Sequence, residues 1–240
     1  MTDERDQPLA LSAYEQLADG YAERAPTKPF NADLERPTTQ GLLPDVSGMD
    51  VVDAGCGPGI TTEYLLEAAA EVTGIDASPA MLAHARERAP DAEFLRCDFG
   101  ETLPFESNRF DLVYSSLAFD YVADWDSLFS ELARVLRPAG LVVFSSGHPV
   151  ADFFHFDPEN YFETEVVSEV WTGFGDPVEV PTYRRPLAAI LNPLLNAGFR
   201  LDRIEEAQPT EAFREKDPET FARVSREPTF LSVRAVMTAD

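Results

Sequence analysis

Residues 51–59 read VVDAGCGPG. Two β-branched residues lead into Asp53, and glycine then stands at every second position, at Gly55, Gly57 and Gly59. The first half has the apolar, branched character of a short buried strand. The second half is a tight turn, because glycine lacks the Cβ that would hold another group away from the backbone. What approaches that turn depends on the flanking sequence.

Downstream, helix and strand signals alternate. After the strand MDVVDAG, the segment TTEYLLEAAA (61–70) reads as a helix and EVTGID (71–76) as a strand. SPAMLAHARER (78–88) reads as a helix with Ser78 as its N-cap and Pro79 in its first turn. AEFLRCD (92–98) and RFDLVYSS (109–116) read as strands, WDSLFSELARVL (125–136) as a helix and GLVVFSS (140–146) as a strand. Within 125–136, Leu128, Phe129, Leu132, Val135 and Leu136 share one helical face. Such alternation builds βαβ units, so the expected fold class is α/β, a doubly wound and mostly parallel sheet covered on both faces.

Upstream, LSAYEQLADGYAER places Leu11, Tyr14, Ala18 and Tyr21 at helical spacing, and residues 26–48 read as short helix and loop. Residues 1–48 are therefore a helical cap on a core of 49–146 within a single domain. After Ser146 the periodicity is lost. Residues 147–186 carry many Pro, Gly and aromatic residues, and an irregular insert of that length is expected to be a lid. In 187–240, PLAAILNPLLNAG reads as a helix kinked at Pro193, and FRLDRIEEA and TFLSVRAVM read as two strands. Two closing strands suggest an antiparallel addition at one sheet edge.

Composition narrows the function classes. The 240-residue chain is 44% apolar, enough for a sizeable core, with no run approaching the ~18 apolar residues of a membrane span. Its start, MTDERDQPLA, is acidic and polar and does not read as a signal peptide, so the expected location is the cytoplasm. Cys56 and Cys97 have no CxxC spacing or histidine cluster around them; they are expected to be small buried fillers, with no metal site and no disulfide framework. The formal net charge is −24, and Lys28 and Lys216 are the only lysines beside 17 arginines. A surface so charged repels itself in dilute buffer, and at ~1 M salt the screening length falls to about 3 Å. The reading is halophilic: a protein of a salt-accumulating cell. No basic stripe is present to hold nucleic acid.

Two ligand classes compete for the glycine turn. A dinucleotide fingerprint requires G-x-G-x-x-G. Gly55 and Gly57 fit its first two positions, but Ile60 stands at the third and Pro58 removes a backbone donor that a phosphate would use. A nucleotide oxidoreductase is therefore the lesser reading. Taken together, DAGCGPG at 53–59, GIDAS at 74–78, PAMLAHAR at 79–86, the region RCDFGETLPFESNRFDLVYSSLAFDYVADW and the run ELARVLRPAGLVVFSS resemble class I S-adenosylmethionine-dependent methyltransferases. The likeness is to the ubiquinone/menaquinone-type, small-molecule group, and it covers roughly residues 10–150. It implies a Rossmann-like, seven-stranded sheet, S-adenosyl-L-methionine as cofactor and methyl transfer to a small-molecule acceptor, with no nucleic acid and no membrane partner. The differing alternative is a methyltransferase-fold protein that binds the cofactor without turnover, as a partner subunit.

The resemblance also implies roles for residues. Gly55, Gly57 and Gly59 would admit the amino acid end and ribose, with Asp53 beside them. Asp76, followed by Ala77, would accept both ribose hydroxyls. Asp98 would take the adenine amino group between Phe99 and Met81. Tyr14 and Tyr21 would close the cap over the cofactor, and Ser115 and Leu117 would line its methyl side. From the residues alone, Asp53 also reads as a turn cap, Met81 as core, and Tyr14 and Tyr21 as a buried helix stripe. On the acceptor side, Asp120 stands where similar sequences often carry His or Gln. His148, one of three histidines, follows the strand ending at Ser146. His148 as general base oriented by Asp120 is the catalytic expectation; the other reading is that His148 caps a turn before Pro149. Tyr183 and Arg184 of the insert are expected to face the acceptor, and the insert's aromatics suggest an apolar or planar one.

Overall fold

A computed structural model describes residues 7–238, so the acidic start MTDERD lies outside the described residues. The sheet is formed by β1 (Asp50–Ala54), β2 (Glu71–Asp76), β3 (Glu93–Arg96), β4 (Phe110–Ser115), β5 (Leu136–Gly147), β8 (Phe199–Glu206) and β9 (Phe230–Met237). Their order is β3-β2-β1-β4-β5-β9-β8. The first five pair in parallel, while β9 runs antiparallel to both β5 and β8. The antiparallel strand is thus inserted next to β5, and β8 takes the outer edge. The expected doubly wound fold is the one found, with the strand order reversing between β1 and β4, where such sheets bind ligands beyond their carboxyl ends.

Both faces of the central strands β1, β4 and the end of β5 are buried, which explains why they read as continuous apolar runs, while the edge strand β8 is mostly exposed. Val52, Val113, Val142 and Phe144 turn to the side covered by α5 (Trp125–Val135) and α7 (Leu187–Asn196). Val51, Leu112, Tyr114 and Val143 turn to the other side, against Leu65 of α3 (Ile60–Glu67). On α5, Leu128, Phe129, Leu132 and Val135 are all buried, as their spacing demands, and Asp124 caps its start by accepting from Ser127 N. Truncating Phe129 to alanine in this packing costs about 3–5 kcal/mol.

The segment 147–186 is more regular than its sequence suggests. It holds α6 (Pro149–Phe156) and a hairpin of β6 (Glu165–Trp171) and β7 (Val178–Arg184) with full antiparallel register. The aromatics that obscured its periodicity are exposed or bound into the hairpin, Phe154 and Phe162 being 77% and 81% exposed. Two short helices, α8 (Glu211–Lys216) and α9 (Pro218–Val224), also separate β8 from β9.

The cap helix α1 (Leu11–Arg24) lies across the carboxyl ends of the strands. Glu15 accepts from Ser78 and from the Ala80 amide of α4 (Pro79–Arg88), and Arg88 reaches the Ala22 carbonyl. The hairpin closes on α1 from the far side. Trp171 packs edge-on to Tyr14, and Phe174 packs on Tyr21 at 4.7 Å between centroids. Gly20 makes that closure possible: a Cβ there would stand 1.6 Å from the Phe174 carbonyl oxygen. A glycine inside a helix is unfavourable by about 1 kcal/mol, and here it is the condition for backbone contact.

Candidate functional site

Between α1 and the strand ends lies a cleft with about 700 Å³ of empty space, its open mouth included. The turn after β1 forms its floor. Gly55 has φ +75, and a Cβ on it would stand 2.2 Å from the Ala118 side chain, so no other residue fits without moving the β4 loop. The Gly57 amide donates to Asp76 Oδ2 at 2.9 Å and the Ser78 amide to Asp76 Oδ1 at 2.8 Å. Each oxygen of Asp76 keeps acceptor capacity toward the cleft. Burial pushes this carboxyl up to about 6, opposed by the two amides.

The structure brings together on the cleft wall Tyr14, Tyr21, Gly55, Gly57, Asp76, Ala77, Met81, Asp98, Phe99 and Leu117, all expected from the sequence. Tyr14 is fixed by a 2.7 Å hydrogen bond between its hydroxyl and that of Tyr121. Met81 is also fully buried, so it serves as core and wall at once.

Three expected residues stand elsewhere. Asp53 faces away beneath the turn, where it accepts from Thr62 Oγ1 at 2.7 Å and anchors α3; burial pushes it up to about 7. Gly59 is the left-handed N-cap of α3, packed on Ala85. Ser115 is fully buried and donates to the Ala54 carbonyl, a strand-to-strand tie. In its place Ser116 reaches the cleft, with Ala118, Tyr121 and Val122 completing that wall. The register of β4 decides this, since one residue of shift exchanges the two serines between faces. The 3-10 turn Phe119–Tyr121 that presents Tyr121 has no periodic signature in the sequence.

The expected His148–Asp120 pair is not formed. His148 is the N-cap of α6: its Nδ1 accepts from the Val150 amide at 3.2 Å and its Nε2 donates to Glu206 at 3.0 Å. Both ring nitrogens are engaged, and burial lowers its pKa. Asp120 instead accepts from the Gly147 amide at 2.9 Å, and burial pushes it up to about 6 against the opposing charge of Arg185. Across Gly147 stands Asp152, pushed up to about 7 by burial and by Asp120.

Arg184 does not face an acceptor. It is wholly buried and ties the hairpin base through Glu165 Oε1 at 2.7 Å and the carbonyls of Asn160, Tyr161 and Glu163. Tyr183 lies on the half-exposed face of β7, opposite Val166. Arg185, not among the residues expected at the site, is 3% exposed, donates to the Val122 carbonyl at 2.6 Å and stacks on Trp125 at 4.4 Å. Its Nη1 has no partner among the described residues. Arg184 is the last residue of β7 and Arg185 follows it, so nothing in the composition of the pair tells which of the two the hairpin ties down.

The sheet order fits an elongated ligand. A diol bound at Asp76 on β2 leaves one arm to run toward Asp98 and Phe99 after β3 and the other toward Gly55 and Ser116–Ala118 after β1 and β4. S-adenosylmethionine has that shape: adenine, ribose diol, then the sulfonium and amino acid.

The comparisons agree with this geometry. Residues 52–144 match the family described as Methyltransferase domain. The chain is 36% identical over 133 residues to malonyl-[acyl-carrier protein] O-methyltransferase of Salmonella typhimurium, covering 54% of this chain and 53% of that one. It is 39% identical over 117 residues to trans-aconitate 2-methyltransferase of Paracidovorax citrulli, covering 47% and 45%. It thus spans about half the length of these curated relatives. Against the crystal structure of an S-adenosylmethionine-dependent methyltransferase from Mesorhizobium loti the TM-score is 0.68 at 31% identity, covering 84% of this chain and 97% of that one. A wall built on Asp76 and a likeness that spans nearly a whole solved relative lead to one statement: this chain belongs to the S-adenosylmethionine-dependent methyltransferases.

Proposed function

We propose that the protein transfers the methyl group of S-adenosylmethionine to a small organic acid. The observation that carries the transfer reading is Asp76, held by two backbone amides with its remaining acceptor capacity turned into the cleft between α1 and the strand ends. The bound cofactor supplies an already activated methyl, so the chain's own task is alignment and exclusion of water. Gly55 and Gly57 bring backbone against the ligand, Asp98 and Phe99 border its adenine, and Tyr14, Tyr21 and Tyr121 close over it.

The acid class is supported by three features. An anionic oxygen needs no base to attack, which suits a chain whose His148 is fully engaged. Under β7, the Nη1 of buried Arg185 lacks a partner among the described residues, and a carboxylate would satisfy it. Two relatives are named for the methylation of acids or acyl groups. We assign Asp120 to the acceptor side as well, from its place after β4, next to Tyr121 of the cleft wall, and its hydrogen bond from the Gly147 amide.

A net charge of −24 with two lysines supports a protein of a salt-accumulating cytoplasm with no nucleic acid or membrane partner. No helix among the described residues is long and apolar enough to cross a membrane.

The test is S-adenosylhomocysteine release at molar potassium chloride across panels of small organic acids, amines and phenols. Turnover confined to acids is the expected result. Turnover of amines or phenols alone would overturn the acid class, and binding of S-adenosylmethionine without release on any panel would favour the non-catalytic partner subunit.

A further inference from the structure

Glu35 is a carboxylate that the cofactor and acceptor roles leave unused. It ends a π-helical turn, Asn31–Glu35, and is 1% exposed. Single π turns inside helices recur at functional sites. Its Oε1 accepts from Ser145 Oγ at 2.6 Å and from Thr39 Oγ1 at 2.8 Å. Ser145 Oγ in turn accepts from the Leu117 amide at 3.0 Å, which fixes the direction of its own proton toward Glu35. Leu117 has φ +52, a left-handed conformation costly for a bulky side chain, and it lines the cleft beside Ser116. Ser116, next to Leu117 in the chain, lines the cleft with it. One layer of residues therefore separates this carboxylate from the β4 end of the cleft.

No cation among the described residues pairs with it. Arg36, next in sequence, donates instead to the carbonyls of Ala25 and Pro26 at 3.0 and 3.3 Å. The other polar neighbours are Tyr21, the Tyr114 hydroxyl and, beyond it, Asp53, none of which carries positive charge; the Arg36 charge acts on Glu35 only through space, without an ion pair. Burial holds the Glu35 carboxyl above its usual range, and the hydroxyl donors and Arg36 offset only part of the cost of its charged form. A compensating cation arriving through the cleft would remove the imbalance.

We propose that Glu35 is the charge partner of the sulfonium, so that it favours the charged methyl donor over the neutral thioether product. This rests on the reading that the cleft takes S-adenosylmethionine with its ribose on Asp76, because the sheet order then sends the sulfonium toward β4 and away from β3. Acting through the Ser145–Leu117 link, Glu35 is a positioning residue with an electrostatic role. It gives product release a physical cause: once the methyl has gone, the positive charge that Glu35 attracts has gone with it.

The experiment is calorimetric binding of three ligands at molar potassium chloride and pH 8. They are S-adenosylmethionine, S-adenosylhomocysteine and sinefungin, whose amine places a cation in the same region without sulfur. Glu35→Gln keeps the shape and the acceptor oxygen and removes the charge. It is expected to weaken S-adenosylmethionine and sinefungin about tenfold and to leave S-adenosylhomocysteine within about twofold, the pattern of a lost ion interaction at partial burial. Equal losses for all three ligands, or no loss for any, would overturn the assignment. Should Glu35→Gln show no melting transition, Ser145→Ala takes its place. It removes a donor to the carboxylate, disfavours its charged form and is expected to narrow the same preference; an unchanged preference overturns the assignment there too. Failure of the wild-type protein to bind any of the three would instead sink the cofactor reading.

Discussion

Replacing Asp76 by asparagine should abolish useful cofactor binding while leaving the fold nearly as stable as before. The carboxylate accepts from the Gly57 and Ser78 amides at 2.9 and 2.8 Å, one on each oxygen. An asparagine offers one oxygen and one NH₂, so one of those two amides then faces a donor. Hydrogen bonds to a charged acceptor contribute about 1.5–3 kcal/mol each, so the loss of the ribose contacts alone weakens binding on the order of 10- to 100-fold. Disturbance of the glycine turn adds to it, and at least about 100-fold is expected in total. Stability moves the other way. Burial lifts Asp76 from 3.8 to about 6. Its ionised form therefore opposes folding at pH 8 by up to about 3 kcal/mol, less whatever the water at the cleft mouth screens. Asparagine removes that penalty and leaves one amide unpaired, a cost of about 1–3 kcal/mol. The two nearly cancel. Calorimetry with S-adenosylhomocysteine and a melting curve, both in molar salt, measure the two quantities. Binding within about threefold of wild type would refute the ribose role. A lost melting transition would show that Asp76 holds the fold rather than the ligand.

Gly20→Ala should push the Phe174 loop off α1, because its Cβ would meet that carbonyl at 1.6 Å; cofactor affinity falls, and an unchanged dissociation constant would show that the hairpin is no part of the closed site. His148→Ala should lower stability by about 1–2 kcal/mol through loss of the α6 cap and leave cofactor affinity untouched; loss of a neutral limb from the rate–pH profile would return the residue to the role of base. In ~0.1 M salt the thermal transition should fall well below its position at molar salt, and a melting temperature indifferent to salt would remove the halophilic reading. In molar salt, stability should fall as pH rises from about 4 to 7 and level off above. Over that window the folded state keeps protons on Asp53, Asp76, Asp120 and Asp152, raised to between about 6 and about 7, which the unfolded chain has released; stability rising across the window would contradict the burial of these four.

The parallel half of the sheet was legible because its strands are buried on both faces and its helices on one, so apolar runs and 3.6-residue stripes mark them. The glycine turn, Asp76 and Asp98 were legible because the ends of such strands leave few places for an acid to stand. The hairpin 165–184 was not, since a two-stranded ribbon with Val166 and Val170 exposed carries no alternation between core and solvent. The serine on the cleft wall stands one position from the expected one, for a physical reason. Composition says that a segment is extended, whereas the face each side chain takes depends on a register set by residues far away in the chain. His148 shows another limit. A histidine after a strand end is compatible with a base or with a helix cap, and the Glu206 that settles its partner comes from β8, 58 residues on.

The acids of this chain fall into two populations that answer to different variables. Those on the surface repel one another across solvent, and ions screen them. Asp76 on the cleft wall, Asp120 and Asp152 beside Gly147, and Glu35 behind Leu117 are buried where low polarity raises their proton affinity and mobile ions have little access. Salt is therefore expected to set whether the fold holds, and ligand whether these acids ionise. In the proposed complex the ribose hydroxyls would favour the charged form of Asp76 by donating to it, and a sulfonium would favour that of Glu35 by its charge. In each case the ionisation that opposes folding in the empty protein would become favourable when the methyl donor is bound. An acidic protein in concentrated brine can in this way keep a ligand-specific electrostatic preference, because the charges that make the preference are not the ones the brine has screened.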